Sequence, residues 1–130
     1  MGLKSYLAKK ASEEFEKSLN QKTYSVVGVT FDGRQDVLRK YYAEFVKTGK
    51  LRNCELILEN DNKFDPNAIS VMIQGNDCLE EIGFISKNEN QELRKMFDNI
   101  KDIRVKSMGR TEKGDIGISI LVSFLERNEK

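Results

Sequence analysis

The chain has 130 residues and a mass of 15.0 kDa, which suits one domain with a single hydrophobic core. Its 22 Lys and Arg residues nearly balance its 21 Asp and Glu residues. The resulting net charge of +1 argues against nucleic-acid binding that depends mainly on nonspecific neutralisation of phosphates. The absence of histidine excludes every site that needs an imidazole, including His-dependent zinc sites and Ser-His or Cys-His nucleophiles.

Membrane, secretory and nucleotide-binding signals are all missing from the sequence. No apolar run approaches the roughly 20 residues that a membrane-spanning helix needs. The N-terminus lacks the apolar core and the cleavage site of a secretory signal, so we expect a cytoplasmic protein. The sequence has neither a GxxxxGKS/T loop nor a GxGxxG motif after a strand. Neither a nucleoside triphosphatase nor a dinucleotide enzyme is indicated, and we expect no cofactor and no metal.

The N-terminal third of the chain predicts a helix, a strand and a second helix. Apolar residues recur every four positions among charged ones, which predicts an amphipathic helix over residues 1–22 that is appended to the domain. The segment Tyr24–Phe31 is rich in β-branched and aromatic residues and predicts the first strand. A helical pattern then covers Gln35–Thr48, and Gly49 lies where such a helix would end.

The remainder of the chain predicts five more strands and a third helix. Ser86 and Glu89 have the spacing of a capping box, so we expect a helix to begin there and to carry Lys87 in its first turn. Cys54 and Cys78 lie in or beside predicted strands and form no CxxC pair, which favours two reduced, buried thiols over a disulfide. The strands are expected at Cys54–Glu59, Ala68–Gln74, Leu79–Ile85, Ile103–Gly109 and Ile116–Phe124.

These elements predict a mainly β protein with helices, in the α+β class. Several short strands would leave exposed edges in a flat sheet, and closure into a barrel removes such edges. We therefore expect a small six-stranded barrel over residues 23–126, with the N-terminal helix before it and two helices inserted between strands. Residues 127–130 are expected to form a disordered tail.

The polar segment from Asn60 to Asn67 predicts a loop of fixed shape. Pro66 fixes its own φ and restricts Asp65 to extended conformations, while the neighbouring Asn and Asp side chains can bond to nearby backbone. Such a loop can display Phe64 and Asp65 side by side. Asp65 also has a purely structural interpretation, since an Asp before Pro commonly caps a turn.

Three motifs in their order and spacing resemble the HIRAN domain family, over about Val26 to Phe124. The family has an oligonucleotide-binding (OB) type of barrel, occurs fused to helicase-like proteins or alone in bacteria and phages, and includes members that capture the free 3′ end of single-stranded DNA. This chain resembles a stand-alone member. The motifs are Val26-Val27-Gly28-Val29, the long segment Asn60 to Val71, and Ile82-Gly83-Phe84-Ile85-Ser86-Lys87.

The resemblance implies a set of binding residues. In the family two aromatic rings hold the terminal bases, and the matching rings here are Phe31 and Phe64. The carboxylate beside the second ring, Asp65, would accept a hydrogen bond from the 3′ hydroxyl, and Lys87 would contact a phosphate. Arg34 and Lys63, which are nearby in sequence, would add further positive charge.

The sequence departs from the family pattern at several of these positions. Thr30 stands where the family can place a basic residue, Phe84 stands where it can place a polar ring, and both stacking rings are Phe rather than Tyr. Stacking survives these changes, whereas hydrogen bonds and positive charge are lost, so weaker DNA binding is expected. Phe31 alternatively points into the core at the end of its strand, as most aromatics do.

Three functions remain open at this point. The first is a non-enzymatic module that binds single-stranded DNA ends, in DNA repair, replication or phage DNA metabolism, beside a separately encoded nuclease or helicase. The second is a protein-interaction or adaptor domain with the same fold that has lost end binding. The third and least favoured is a metal-dependent nuclease that uses Asp61, Asp65 and a Glu, because no assembled set of carboxylates is visible.

Overall fold

The computed structural model describes residues 20–125, which form six strands and two α-helices. The helices are α1 (Arg34–Thr48) and α2 (Asn90–Lys95), and a 3-10 turn follows α2 at Phe97–Asn99. The predicted helix over residues 1–22 lies outside the described residues except for its last three positions, which belong to β1. The predicted tail lies outside them as well. The strands are β1 (Asn20–Val27), β2 (Cys54–Leu58), β3 (Ile69–Gln74), β4 (Leu79–Ile85), β5 (Ile100–Arg110) and β6 (Ile116–Phe124).

The six strands form one antiparallel sheet in the order β2-β3-β4-β1-β6-β5. The prediction of a mainly β, α+β protein is confirmed. The outermost strands β2 and β5 also contact each other, through a bridge between Asn53 and Arg104. Beside it, the Val105 amide donates to the Arg52 carbonyl at 2.9 Å. No helix within residues 20–125 has both the length and the apolar character that crossing a bilayer requires.

The core lies on one face of this sheet and is closed by α1. Strand β6 buries every second residue from Ile116 to Phe124, as its alternating sequence predicts. Tyr24 and Val26 of β1 are buried on the same side, and α1 contributes Leu38 and Tyr41 to the core. Because the other residues of β1 and β6 face outward, the sheet keeps a second, accessible face.

Strand β1 ends earlier than its sequence predicts. Gly28 has a φ of +72°, and the chain turns there before α1 begins. The turn is held by a bond from the Phe31 amide to the Gly28 carbonyl at 3.4 Å. Asp32 and Gly33 also have positive φ angles, of 55° and 74°. Phe31 therefore lies in a tight turn between β1 and α1, and its predicted position at the end of a strand is wrong.

The capping box predicted before α2 does not form. The Ser86 carbonyl accepts the amides of Glu89 and Asn90 at 2.9 and 3.0 Å, which makes a separate turn, and the helix begins only at Asn90. The residue at the N-cap, Glu89, makes no side-chain capping bond. Lys87 consequently lies in the turn between β4 and α2 and not in the first turn of the helix as predicted.

The two cysteines differ in exposure. Cys54 of β2 is buried and free, and burial raises the pKa of its thiol to about 12. Cys78, in the turn between β3 and β4, is free and exposed. The prediction of free thiols is confirmed, and the predicted burial of Cys78 is wrong because the residue lies in the turn directly before β4.

Candidate functional site

A cavity of about 790 Å³ opens where β1 ends beside β4. Its walls come from the turn between β1 and α1, the loop between β2 and β3, and the start of the turn after β4. Three connections remote in sequence meet here because β1 and β4 are paired through Val27 and Phe84. Five of the six predicted site residues line this cavity: Phe31, Phe64, Asp65, Phe84 and Lys87. The sixth, Thr30, is exposed in the first of these connections and is not part of the lining.

The two predicted stacking rings are both open to solvent. Phe31 is 65% exposed and Phe64 is 94% exposed, although both rings line the cavity. The alternative that Phe31 points into the core is therefore wrong. An isolated exposed apolar side chain needs no explanation, but two exposed phenyl rings at one cavity form a local apolar surface that water solvates poorly.

The loop that carries Phe64 is fixed by its own side chains. The Asn62 side-chain oxygen accepts the amides of Phe64 and Asp65, at 2.9 and 3.0 Å. Asp65 Oδ1 in turn accepts the Asn67 amide at 2.9 Å, which is the turn-capping role foreseen for an Asp before Pro. The exposed Phe64 ring is thus attached to backbone whose conformation is held on both sides.

The second oxygen of Asp65 is bound from a different element. Asp65 Oδ2 accepts a hydrogen bond of 2.7 Å from the side-chain amide of Asn90, the first residue of α2. The Asn67 amide is the main cause that lowers the pKa of Asp65, and the Asn90 amide and the positive charges of Lys87 and Arg94 act in the same direction against the cost of burial. The carboxylate is therefore held both in place and in its charged form.

Asn90 is a site residue that the sequence did not reveal. Its side chain is 1% exposed, and its oxygen has no hydrogen-bond partner within residues 20–125. A buried amide that gives its donor to a carboxylate is a positioning group. Its position directly after Ser86–Glu89 is the local signal for Asn90, but this pair predicts a helix cap and not a site residue.

Arg34 forms one wall of the cavity. Its guanidinium lies over the Phe84 ring, 5.0 Å from the centroid, donates to the Gly28 carbonyl at 2.7 Å and pairs with Glu81. The side chain is 7% exposed overall, and its Nε has no partner within the described chain. From its place in the sequence Arg34 is expected only to add nearby charge. A cation at the first position of a helix opposes the helix dipole, and this was the signal for a special role.

Together these residues give the cavity two stacking surfaces, one fixed acceptor and one exposed cation at the rim. Phe31 and Phe64 offer ring faces, Asp65 offers the remaining lone pairs of its two oxygens, and the exposed Lys87 offers charge. The volume is in the range of sites that hold small organic groups. Within residues 20–125, no group of three or more Cys, Asp or Glu side chains is placed to hold a metal ion.

Comparisons with known proteins give no relative on which to base an assignment. No family model, no curated protein and no solved structure matches this chain.

Proposed function

We propose that this protein is a non-enzymatic module that captures the free 3′ end of single-stranded DNA. The observation that supports it best is the meeting of Phe31, Phe64, Asp65 and Lys87 at one cavity, although they come from three separate connections of the chain. These are four of the residues that the likeness to the HIRAN family selects. Phe84, the fifth, lies under Arg34 and acts as support for the cavity rather than as a stacking ring.

Stacking supplies most of the affinity in this proposal. Each base that stacks on an aromatic side chain contributes roughly 1–3 kcal/mol, and the contact tolerates any base because every base has a π-face. Two exposed rings can therefore hold terminal bases without a large positive surface, which suits a chain with a net charge of +1. Binding is expected to be independent of sequence.

The carboxylate of Asp65 supplies the preference for an end. It accepts a hydrogen bond from a 3′ hydroxyl, whereas it repels a 3′ phosphate or the phosphate of a strand that continues. Its lowered pKa keeps it charged at neutral and mildly acidic pH. Because both oxygens are already bound by Asn67 and Asn90, the acceptor keeps a fixed direction.

The proposal also includes the fold of the module, a small OB-like barrel. A six-stranded antiparallel sheet whose outer strands bond to each other is compatible with a small OB-like barrel. In such a protein the module would deliver or protect a DNA end in repair, replication or phage DNA metabolism, in the cytoplasm and beside a separately encoded nuclease or helicase.

The test is a fluorescence-anisotropy titration with two single strands that differ only in a 3′ hydroxyl or a 3′ phosphate. The parent protein should bind the hydroxyl strand more tightly. Phe64→Ala should lower the affinity for both strands by about 5- to 150-fold, the equivalent of one lost stacking contact of about 1–3 kcal/mol. Asp65→Asn should reduce the preference between them, because the charge that repels phosphate is gone.

Two matched variants control for general damage. Val46→Ala removes an apolar side chain that is 66% exposed on α1 and does not line the cavity. Asp61→Asn removes a charge from the same loop outside the cavity. Equal effects of Phe64→Ala and Val46→Ala would refute the site. No binding of either strand by the parent protein would refute end capture and favour the adaptor function.

A further inference from the structure

The outward face of β1 leads away from the cavity. Thr23, Ser25 and Val27 are exposed on one side of this strand, whereas Tyr24 and Val26 between them are buried on the other. Val27 is also part of the cavity wall. A molecule held in the cavity can therefore continue along this face without crossing a ridge of core residues.

Hydroxyl groups form the part of this face that lies next to the cavity. Ser25 pairs with Ser119 of β6, and Ser119 pairs with Ser107 of β5, so the three side chains form a row across three strands. The hydroxyls of Ser107 and Ser119 are 2.6 Å apart. Serine hydroxyls donate to phosphate oxygens without adding fixed charge.

Two cations lie beyond this row, Arg104 in the next row and Lys106 at the register shift between Val105 and Ser107. Arg104 faces Leu121 of β6, which faces Thr23 of β1, and Lys106 crosses the sheet to donate to the Thr23 hydroxyl at 2.9 Å. Within residues 20–125 neither cation has a carboxylate within ion-pair distance. Asp102 is one row further out and, with Arg104, lines a separate cavity of about 350 Å³.

Unpaired cations occur elsewhere in residues 20–125, such as Arg39 and Lys47 of α1, but here two of them lie beside a row of hydroxyls. Lys40 and Arg52, by contrast, are paired with Glu80 and Glu44. Free positive charge next to exposed hydroxyls is complementary to a phosphodiester backbone. An apolar protein segment fits this face less well, since the face offers few apolar side chains.

We propose that the outer face of β1, β6 and β5, between Val27 and Arg104, is the path of the nucleotides on the 5′ side of the captured 3′ end. Arg104 and Lys106 contact their phosphates, and the one hydroxyl hydrogen of the Ser107–Ser119 pair that is not used between the two serines donates to a phosphate oxygen. The inference rests on the proposed function, because the cavity fixes where the strand ends. At about 3.3 Å per strand residue, Val27 and Thr23 are about 13 Å apart, or roughly four stacked nucleotides at 3.4 Å each.

The experiment compares unlabelled strands of three, six and nine nucleotides, all with a 3′ hydroxyl, as competitors for a labelled strand. The parent protein should bind the six- and nine-nucleotide strands more tightly than the three-nucleotide strand. The double variant Arg104→Gln with Lys106→Gln should lose that gain. Its slope of log affinity against log salt should fall by about 1.4, since each phosphate contact on a single strand contributes about 0.7. Its preference for a 3′ hydroxyl over a 3′ phosphate should stay.

A control pair removes equal charge elsewhere. Arg39→Gln with Lys47→Gln changes two exposed cations of α1 and should leave both length dependence and salt slope as in the parent protein. A double variant at Arg104 and Lys106 that behaves like this control overturns the path. A parent protein that ignores the 3′ terminus, but whose length dependence still requires Arg104 and Lys106, supports the face and overturns end capture. The two proposals therefore fail separately.

Discussion

Asp65 is held by two neighbours that come from different parts of the chain. The Asn67 amide is two residues away, and the Asn90 side chain is 25 residues away, at 2.9 and 2.7 Å from the two carboxylate oxygens. The local bond shapes the loop, and the distant bond fixes the loop to α2. The end recognition that we propose for Asp65 needs both bonds, because a freely rotating carboxylate would lose conformational entropy on each binding event.

We expect the stability of the Asn90→Ala variant to change less between pH 6 and pH 3 than that of the parent protein. The pKa of Asp65 lies below its ordinary value of 3.8, so the stabilisation from its charged form is complete above that value and is lost as the pH falls through and below it. Without the Asn90 donor, the pKa of Asp65 should rise toward its ordinary value while the Asn67 bond remains. The difference in unfolding free energy between the parent protein and the variant should therefore shrink between pH 6 and pH 3.

Urea unfolding at the two pH values, together with carbon NMR titration of the Asp65 carboxyl group, measures this effect. The control is Asn88→Ala in the preceding turn, where the side chain is exposed and no change with pH is expected. A loss of stability in Asn90→Ala that stays constant from pH 6 to pH 3 would mean that Asn90 acts by packing alone.

Gly83 is required by the close contact of β4 with β1. Its φ is +153°, and a Cβ atom built there would lie 2.3 Å from the Val27 carbonyl oxygen and 2.6 Å from a methyl group of Val26. Gly83→Ala should therefore destabilise the fold by about 3 kcal/mol, from backbone strain and overpacking together. Gly109→Ala is the matched control, because no atom lies within 4 Å of its added methyl group. Chemical denaturation of both variants measures this loss of stability. Similar unfolding midpoints for Gly83→Ala and Gly109→Ala would contradict the prediction.

At this scale the sequence predicted the residues of the loop but not their supports. The Asn and Asp side chains beside Pro66 indicated a fixed loop that displays Phe64, and the bonds within residues 62–67 agree with it. Asn90 and Arg34 were not predicted as cavity supports. Their partners, Asp65 and Glu81, are 25 and 47 residues away, and no local pattern encodes such a contact.

Helix α2 is short, yet it anchors the loop that carries Phe64. Asn90 and Arg94 lie one turn apart, and both reach the loop. Arg94 donates to the carbonyls of Asn67 and Ala68, each at 2.9 Å, and to the side chain of Asn60 at 3.0 Å. The position of the loop relative to the sheet thus depends on six helical residues.

We expect Arg94→Met to loosen this loop and to cost about 2 kcal/mol, because hydrogen bonds from a charged donor contribute about 1.5–3 kcal/mol and the carbonyl acceptors lose their partner. Urea unfolding gives the free energy, and amide exchange of Asn67 and Ala68 reports on the loop itself. Lys95→Met, at an exposed neighbouring position, should be nearly neutral. An unchanged amide exchange rate of Ala68 in the Arg94→Met variant would show that the loop keeps its conformation without Arg94.

Periodicity predicted where elements exist better than where they begin. The predicted β4 and β6 have the observed bounds, because their ends coincide with polar turns. The segment up to Phe31 predicts strand because it is rich in β-branched and aromatic residues, but the positive φ of Gly28 ends β1 first. Tertiary contacts, not propensity, decide such boundaries.

For the whole molecule, the contact between β2 and β5 decides whether the sheet is open. Residue pairs at that contact are few: the bridge of Asn53 with Arg104 and the bond from Val105 to Arg52. The prediction of closure followed from the general cost of exposed edges. The sequence did not specify which strands would meet, since strand order depends on pairings between distant segments.

Amide hydrogen exchange tests this closure. The Val105 amide bonds to the Arg52 carbonyl, so it should exchange slowly, at a rate closer to that of Ile120 in the central strand β6 than to that of Lys113 in an exposed turn. In an open sheet this amide would face solvent. Exchange of Val105 as fast as that of Lys113 would show that the outer strands separate readily.

The exposed thiol of Cys78 gives the protein a ready attachment point for a probe. The other thiol, Cys54, is buried with its pKa raised to about 12, so a maleimide dye should modify Cys78 alone. Cys78 precedes Leu79, whereas Phe84 at the cavity is near the other end of β4, about 20 Å from Cys78 at the rise of a strand. A dye there would leave the cavity free, and energy transfer to an acceptor on the 5′ end of a bound strand would report the direction in which that strand leaves.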